Sequence, residues 1–188
     1  FGVLGPQGRG ALAQAGLTGA LASRRILYMA TLGKAAGVAG AFVAGDATLV
    51  EWLLQKTRSY TFATAAPALL ASALRASLQA MEQEEWRRTH LQALIAQLRS
   101  GLATALAGHH WRLADSQTPI QPLIIGRNDE ALAVADALRQ RGLWVSAIRP
   151  PTVPMGTARL RIALSAAHSE ADVEVLVAAL TAIAAQGI

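Results

Sequence analysis

The spacing of apolar residues in the first third of the 188-residue chain predicts two short strands and a helix. An apolar run over 26–31 is typical of a buried strand, and a second run over 39–44 follows a glycine-rich turn. Asp46 then precedes apolar residues at helical spacing, which predicts a capped helix. An irregular segment over 61–67 follows. We therefore expect a strand pair with a tight turn, and a helix after it.

Helical spacing resumes after this segment and continues over about forty residues. Apolar positions recur at intervals of three and four from Pro67 to Leu106. The charged run over 84–88 interrupts them and has the composition of a solvated face. The pattern predicts one long helix that bends near the charged run.

Beyond Gly108 the rhythm changes, and it predicts three strands and two helices. The strands are expected over 120–125, 143–148 and 159–164; one helix is expected over 130–140 with Asn128 as its cap, and the other after a capping box from Ser169 to Asp172. Such an order predicts a compact α+β unit with both helices on one face of a sheet. We place a domain boundary near residue 110.

Composition narrows the class of protein. The chain is 53% hydrophobic, which is enough for a substantial core, and it has no cysteine, which excludes disulfides and zinc–thiolate sites. Its four histidines lack the spacing of a ligand set, so no metal is expected. No apolar window approaches the length of about 18 residues that a membrane span needs, and no signal segment opens the chain, so a cytoplasmic location is expected.

The net charge of +5 does not predict nucleic-acid binding, because the basic residues are dispersed and no basic face with interleaved aromatic residues is present. Excess positive charge also suits an enzyme whose cofactor and substrates are anionic. The chain begins with Phe1 in a loop-like segment, and we expect it to be a piece of a longer protein.

The turn between the first two strands carries the residue best suited to covalent chemistry. Lys34 follows Thr31-Leu32-Gly33, and apolar walls around such a turn would favour its neutral, nucleophilic amine, which attacks carbonyls. The Thr31 hydroxyl could contact a cofactor phosphate beside it. The pattern predicts a pyridoxal-phosphate site, although a lysine in a glycine-rich turn is more often a plain surface residue. A nucleotide-triphosphate loop is excluded, because Ala35 stands where Ser or Thr is required.

A second group of polar residues lies near the end of the chain. Three prolines stiffen the loop over 149–154, which carries Arg149 and Thr152. Arg159 and Arg161 differ by two positions on a predicted strand and therefore project to the same face. Because arginine suits bidentate carboxylate binding, this region is a candidate substrate site. The alternative is that these arginines are ordinary surface residues.

Three segments carry a family resemblance: Phe1 to Gly10, Thr31 to Gly40, and 149–161. Together they resemble the 8-amino-7-oxononanoate synthases, which are α-oxoamine synthases and fold-type I pyridoxal-phosphate enzymes. The resemblance covers nearly the whole chain and matches the C-terminal half of such an enzyme. It implies an α/β fold, with the C-terminal part of the large cofactor-binding domain over 1–110 and a small α+β domain over 111–188.

The resemblance also implies roles for residues at the cofactor. Lys34 matches the Schiff-base lysine, and Thr31 matches a hydroxyl that contacts the cofactor phosphate. Thr64 lies in a segment similar to the loop that reaches the phosphate of the neighbouring subunit, which implies a homodimer. The family's Asp partner of the pyridinium nitrogen and its cofactor-contacting His are expected upstream of Phe1.

For the substrates, the resemblance implies that Arg161 binds the amino-acid carboxylate, that Thr152 contacts substrate, and that Arg149 contacts the acyl substrate. The implied reaction is the decarboxylative condensation of L-alanine with pimeloyl-CoA, or a pimeloyl carrier protein, to 8-amino-7-oxononanoate in biotin synthesis. Two alternatives stay open. One is another α-oxoamine synthase that uses glycine or serine with a different acyl-CoA, and the other is a non-catalytic module that serves dimerisation.

Overall fold

The computed structural model describes residues 1–17 and 25–187, which divide into two compact units, Phe1–Glu85 and Trp86–Ile188. The boundary that the sequence predicts near residue 110 lies inside the second unit. The assignment of 1–110 and 111–188 to separate family domains stays a prediction.

The first unit is built from a strand pair and helices. After a 3-10 turn at Pro6–Gly8, its elements are α1 (Ala11–Gln14), β1 (Tyr28–Thr31), β2 (Ala41–Ala44), α2 (Ala47–Lys56) and α3 (Ala68–Gln83). The strands pair in antiparallel register from Tyr28 with Ala44 to Thr31 with Ala41. Both predicted strands are confirmed, each two residues shorter at its start. The predicted Asp46 cap is also confirmed, because its carboxylate accepts a hydrogen bond from Thr48 N at 3.0 Å.

A small apolar cluster lies beneath the turn between β1 and β2. Its buried members are Leu32, Ala36 and Val38, against which Phe1, Leu70, Leu74 and Met81 pack. Backbone bonds from Leu32 N to Gly40 O at 2.8 Å and from Val38 N to Leu32 O at 3.0 Å hold the turn closed. The turn is therefore fixed both by its backbone and by the helix α3 that packs against its apolar side chains.

The predicted long helix is two helices. α3 ends at Gln83 and α4 runs over Glu85–Ala105, with Glu84 between them at φ −106° and ψ 60°. The break has a packing reason. α3 contributes Leu70, Leu74 and Met81 to the cluster of the first unit, whereas the apolar face of α4 is buried in the core of the second unit. Apolar spacing alone does not distinguish one bent helix from two helices that serve separate cores.

The second unit holds a four-stranded antiparallel sheet with helices α4, α5 and α6. Its remaining elements are β3 (Arg112–Leu113), β4 (Ile120–Gly126), α5 (Asn128–Gln140), β5 (Ser146–Ile148), β6 (Ala158–Ala163) and α6 (Glu170–Gln186), with the strand order β3-β4-β6-β5. The three predicted strands and two predicted helices are confirmed. The two-residue strand β3 was not predicted, because so short a segment carries no periodicity.

Burial alternates along the two central strands, so the sheet has one covered face and one open face. Leu123 and Leu160 lie opposite each other in the β4–β6 register, and both are fully buried. Helix residues Val134, Leu138 and Leu180 are also fully buried and complete this core. The residues between them on the strands point to the other side, which we call the outer face.

A polar network within the second unit joins α4 to the segment before β4. Gln121 is fully buried, and its amide nitrogen donates to the carbonyls of Ser116 at 3.0 Å and Thr118 at 2.7 Å. The Arg99 guanidinium donates to Gln121 Oε1 at 2.7 Å and to the carbonyl of Ala114 at 3.0 Å. Each polar atom of the buried Gln121 amide therefore has a partner, as burial in a core requires.

The start of α5 differs from the prediction. Asn128 is the first helical residue rather than the cap, and Arg127 occupies the cap position without a side-chain cap bond. The Arg127 guanidinium instead pairs with the Asp129 carboxylate, through Nε to Oδ1 at 3.1 Å and a second contact at Oδ2. This pairing, together with the Glu130 backbone, lowers the pKa of Asp129 to about 2.

The start of α6 matches the prediction of a capping box. Asp172 N donates to Ser169 Oγ at 3.2 Å, and Ser169 N donates to Asp172 Oδ2 at 2.7 Å. Two helix-end donors are thus satisfied reciprocally. The hydrogen bonds from the Ser169 backbone and hydroxyl hold the pKa of Asp172 below its ordinary value of 3.8.

We expect Ser169→Ala to lower the free energy of unfolding by about 1 kcal/mol, because it leaves a backbone donor of α6 without its cap. The measurement is urea unfolding followed by circular dichroism. Ser100→Ala is the matched control, since Ser100 lies mid-helix in α4 with an exposed side chain. Equal losses in the two variants would contradict the assigned cap.

We expect the stabilisation supplied by Asp172 to depend on pH. Because its folded pKa is lowered, the contribution is complete at pH values well above 3.8 and is lost as pH falls through the folded value. The stability difference between wild type and Asp172→Asn should therefore be largest near neutral pH and shrink below about pH 4. Asp115→Asn, at an exposed loop residue, should leave the profile unchanged. A difference that is constant with pH would argue against the carboxylate as its source.

Candidate active site

Lys34 lies in the turn at the end of the β1–β2 hairpin. Its Nζ donates a hydrogen bond to Thr31 Oγ1 at 3.1 Å, and both side chains are exposed. Thr31 is the last residue of β1, so the pairing with Ala41 fixes its backbone at the start of the turn. No carboxylate contacts Lys34 within the residues that the structure describes. The arrangement presents a primary amine and a hydroxyl to the same side of the turn.

The expectation that apolar residues wall off Lys34 is wrong for this unit. The apolar side chains of the turn, those of Leu32, Ala36 and Val38, point into the cluster with α3, and Lys34 stays exposed. Since the turn directs apolar and polar side chains in opposite directions, these residues support the turn and do not desolvate the amine.

Thr64 lies in the segment between α2 and α3. The start of this segment is held by local bonds, from Thr57 Oγ1 to Leu53 O at 2.6 Å and from Thr61 Oγ1 to Thr57 O at 3.2 Å. Thr64 itself is exposed, and within the described residues it makes no hydrogen bond to Lys34 or Thr31. The structure therefore brings together two of the three residues expected at the cofactor.

Phe62, two residues before Thr64, marks the same segment in a different way. Its φ of 64° lies in the left-handed region that residues other than glycine seldom adopt. Its side chain is fully exposed, with a relative accessibility of 102%. The segment thus places an aromatic ring and a threonine hydroxyl on the surface of the first unit.

In the second unit, Arg161 lies on the outer face of β6. Its cross-strand partners are Pro122 on β4 and Ser146 on β5. The guanidinium is exposed, and within the described part of the chain it has no hydrogen-bond or ion-pair partner. The prediction that Arg159 and Arg161 share a face is confirmed by the alternation of burial along β6.

The Arg159 guanidinium, unlike that of Arg161, is already hydrogen-bonded within the protein. Its Nε donates to Thr157 O at 3.0 Å and its Nη2 donates to Thr157 Oγ1 at 3.1 Å. These bonds tie the Arg159 guanidinium to its own strand end. Of the two arginines, Arg161 is therefore the one available to an external carboxylate.

Arg149 and Thr152 lie in the loop that follows β5. Thr152 N donates to Arg149 O at 3.0 Å, which closes a tight turn around two prolines. Both side chains are exposed. The structure brings these two residues together on one loop, and β5 connects that loop to the strand position opposite Arg161.

Ser146 was missed by the sequence reasoning. It is an exposed residue at the start of β5, directly opposite Arg161. The signal that could have identified it is the register between the predicted strands over 143–148 and 159–164. Periodicity predicts each strand separately and leaves that register undetermined.

Other kinds of site are not indicated by the described residues. Within 1–17 and 25–187, no group of three or more His, Asp or Glu side chains is placed to hold a metal ion. In the same residues, no helix combines the length and the apolar character that crossing a membrane requires.

The chain is similar along its whole length to several named bacterial enzymes. It is 73% identical over 187 residues to 8-amino-7-oxononanoate synthase 1 of Polaromonas sp., an alignment that covers 100% of this chain and 46% of the relative. The chain thus spans about half the length of the curated relatives it matches. The resemblance to the 8-amino-7-oxononanoate synthases is confirmed.

Solved structures show the same fold. The 8-amino-7-oxononanoate synthase of Francisella tularensis matches with a TM-score of 0.82 at 28% identity, over 99% of this chain and 52% of that one. A structure of SPT with its PLP internal aldimine matches with a TM-score of 0.86 at 25% identity, over 98% of this chain and 45% of that one. The expected α/β fold of fold-type I pyridoxal-phosphate enzymes is confirmed.

The family model for aminotransferase class I and II matches residues 2–180, which is nearly the whole chain. The chain belongs to the aminotransferase class I and II family.

Proposed function

We propose that the protein is a pyridoxal-phosphate-dependent acyltransferase that makes 8-amino-7-oxononanoate for biotin synthesis. In this reaction the Cα of L-alanine forms a carbon–carbon bond to the carbonyl carbon of a pimeloyl thioester. The thiol, CoA or a carrier protein, leaves, and the alanine carboxyl group is lost as CO2. The observation that carries the proposal is the 73% identity to a named synthase over the entire chain.

The hairpin turn fits the cofactor of such an enzyme. Lys34 offers an exposed primary amine whose contact within the described residues is a neutral hydroxyl, that of Thr31. An aldehyde can therefore reach the amine without displacing an ion pair. Pyridoxal phosphate, when bound, supplies an electron sink that stabilises negative charge at the substrate Cα. Lys34 would hold it covalently, and Thr31, with Thr64, would donate hydrogen bonds to its phosphate.

Lys34 has a second task in the proposed reaction. With the amino acid bound, the Lys34 Nζ would accept the proton that leaves the substrate Cα. The exposed position at the end of a short turn leaves the side chain able to move between these tasks. The Thr31 hydroxyl, which accepts a hydrogen bond from Nζ at 3.1 Å, orients the amine when it holds neither the cofactor nor the proton.

Arg161 would bind the carboxylate of alanine. Its guanidinium has no partner within the described part of the second unit, and arginine suits a bidentate bond to a carboxylate. Thr152 and Arg149, on the loop after β5, would contact the substrates, with Arg149 on the acyl side. The Thr152 to Arg149 backbone bond closes the turn that carries these two exposed side chains.

We also propose that the enzyme works as a homodimer in the cytoplasm. The role assigned to Thr64, a bond to the phosphate held by a neighbouring subunit, requires a second copy. The exposed Phe62 beside it supplies apolar surface of the kind that subunit interfaces bury.

We expect Lys34→Ala to abolish the covalent attachment of pyridoxal phosphate in the full protein that contains this chain, because no amine stays at the turn. The measurement is borohydride reduction followed by peptide mass analysis. Lys56→Ala is the matched control, since Lys56 is the only other lysine of the sequence and lies at the end of α2. A reduced adduct that persists in Lys34→Ala would overturn the assignment.

We expect Arg161→Ala to raise the KM for alanine by about 10- to 100-fold and to leave the KM for the thioester nearly unchanged, because a charge-assisted bond to the carboxylate is lost. Steady-state kinetics with each substrate varied separately measures this. Arg112→Ala, at an exposed outer-face residue of β3, is the control. Equal effects on both KM values would contradict the carboxylate role.

A further inference from the structure

The surroundings of Arg161 on the outer face are set by strand register. Across β4 its partner is Pro122, which has neither a backbone N–H nor a polar side chain. Across β5 its partner is Ser146. Directly opposed residues of antiparallel strands have Cβ atoms about 4.5–5.5 Å apart, so their side chains are neighbours.

The adjoining positions of the outer face offer no competing donor. Ile124 and Ile148 face Arg159 from the two sides, and Ile120 faces Ala163. Arg159 is tied to Thr157 by two hydrogen bonds. Among the cross-strand neighbours of Arg161, Ser146 is thus the one with a hydroxyl.

Ser146 is also free to use that hydroxyl. Its side chain is exposed, and within the described residues it has no hydrogen-bond partner. The outer-face positions of β4, β5 and β6 carry no acidic side chain, so no protein carboxylate competes for Arg161 or Ser146. The pair therefore offers one cationic fork and one hydroxyl donor to an external anion.

The chemistry of a carboxylate matches this set of donors. Its two oxygens accept a bidentate bond from a guanidinium and retain lone pairs for further donors. A hydroxyl beside the guanidinium donates to one of these lone pairs and restricts rotation of the carboxylate about the bond that joins it to Cα.

We propose that Ser146 is a second binding residue for the carboxylate of the amino-acid substrate, its hydroxyl donating a hydrogen bond to one of the oxygen atoms that Arg161 holds. The inference rests on the proposed function, which assigns that carboxylate to Arg161. It adds a residue from the edge strand β5, so that the site for the amino acid spans two strands. The strand that carries Ser146 continues directly into Arg149 and the acyl-side loop.

The test is steady-state kinetics of Ser146→Ala and Ser146→Thr in the full protein with its cofactor. Loss of the hydroxyl should raise the KM for alanine about five- to tenfold and leave kcat and the KM for the thioester unchanged. Ser146→Thr keeps the hydroxyl in a residue that suits a strand, so it should retain the wild-type KM. Circular dichroism melting checks that each variant folds as wild type does.

A double variant separates binding from structure. If Ser146 and Arg161 act on one carboxylate, adding Ser146→Ala to Arg161→Ala should raise the KM for alanine less than it does alone. Independent, multiplying effects, or an equal rise of both KM values in Ser146→Ala, would overturn the inference.

The outcomes also distinguish the inference from the proposed function. If Arg161→Ala raises the KM for alanine and Ser146→Ala does not, Ser146 has no binding role and the function stands. If neither variant changes it, the carboxylate site on β6 is wrong, and the Ser146 inference falls together with the role proposed for Arg161.

Discussion

The antiparallel pairing of β4 with β6 is the constraint on which the second unit depends. It places Leu123 against Leu160 in the core and, by the two-residue repeat of a strand, sends Arg161 to the outer face. A slip of β6 by one residue would exchange its core-facing and outer-facing side chains, which would bury a guanidinium and expose a leucine. The hydrophobic core therefore decides where the carboxylate-binding candidate points, although no core residue touches the site.

The turn that carries Lys34 follows the same logic on a smaller scale. Leu32, Ala36 and Val38 are buried against α3, and the polar members of the turn are left on the opposite side. Packing thus fixes the backbone while the amine stays accessible. In both units a chemically useful side chain is positioned by apolar neighbours that point away from it.

The sequence predicted what is local and missed what depends on distant partners. The hairpin, the Asp46 cap and the capping box of α6 were predicted correctly, because each involves residues within a few positions. The bend predicted near the charged run is a full break at Glu84; that the two helices are separate was missed, since it arises from two separate cores. The Asn128 cap was wrong, because the helix begins at Asn128 itself, two residues before the predicted start, and Arg127 holds the cap position.

At the candidate site, too, local features could be predicted and features that depend on distant partners could not. The turn lysine and its hydroxyl neighbour stand in one short motif, and Arg161 in another. The exposure of Lys34 and the position of Ser146 depend on packing and strand register, which no local pattern encodes.

The buried amide of Gln121 has a consequence for folding fidelity. A shift of β4 by an odd number of positions would bring Leu123 and Ile125 to the outer face, whereas a shift by two would keep both of them on the covered face. Such a shift would pull Gln121 away from the Arg99 guanidinium and leave polar groups stranded in the interior. The hydrogen bonds of this amide thus select one strand register among those that burial of the apolar side chains alone would allow.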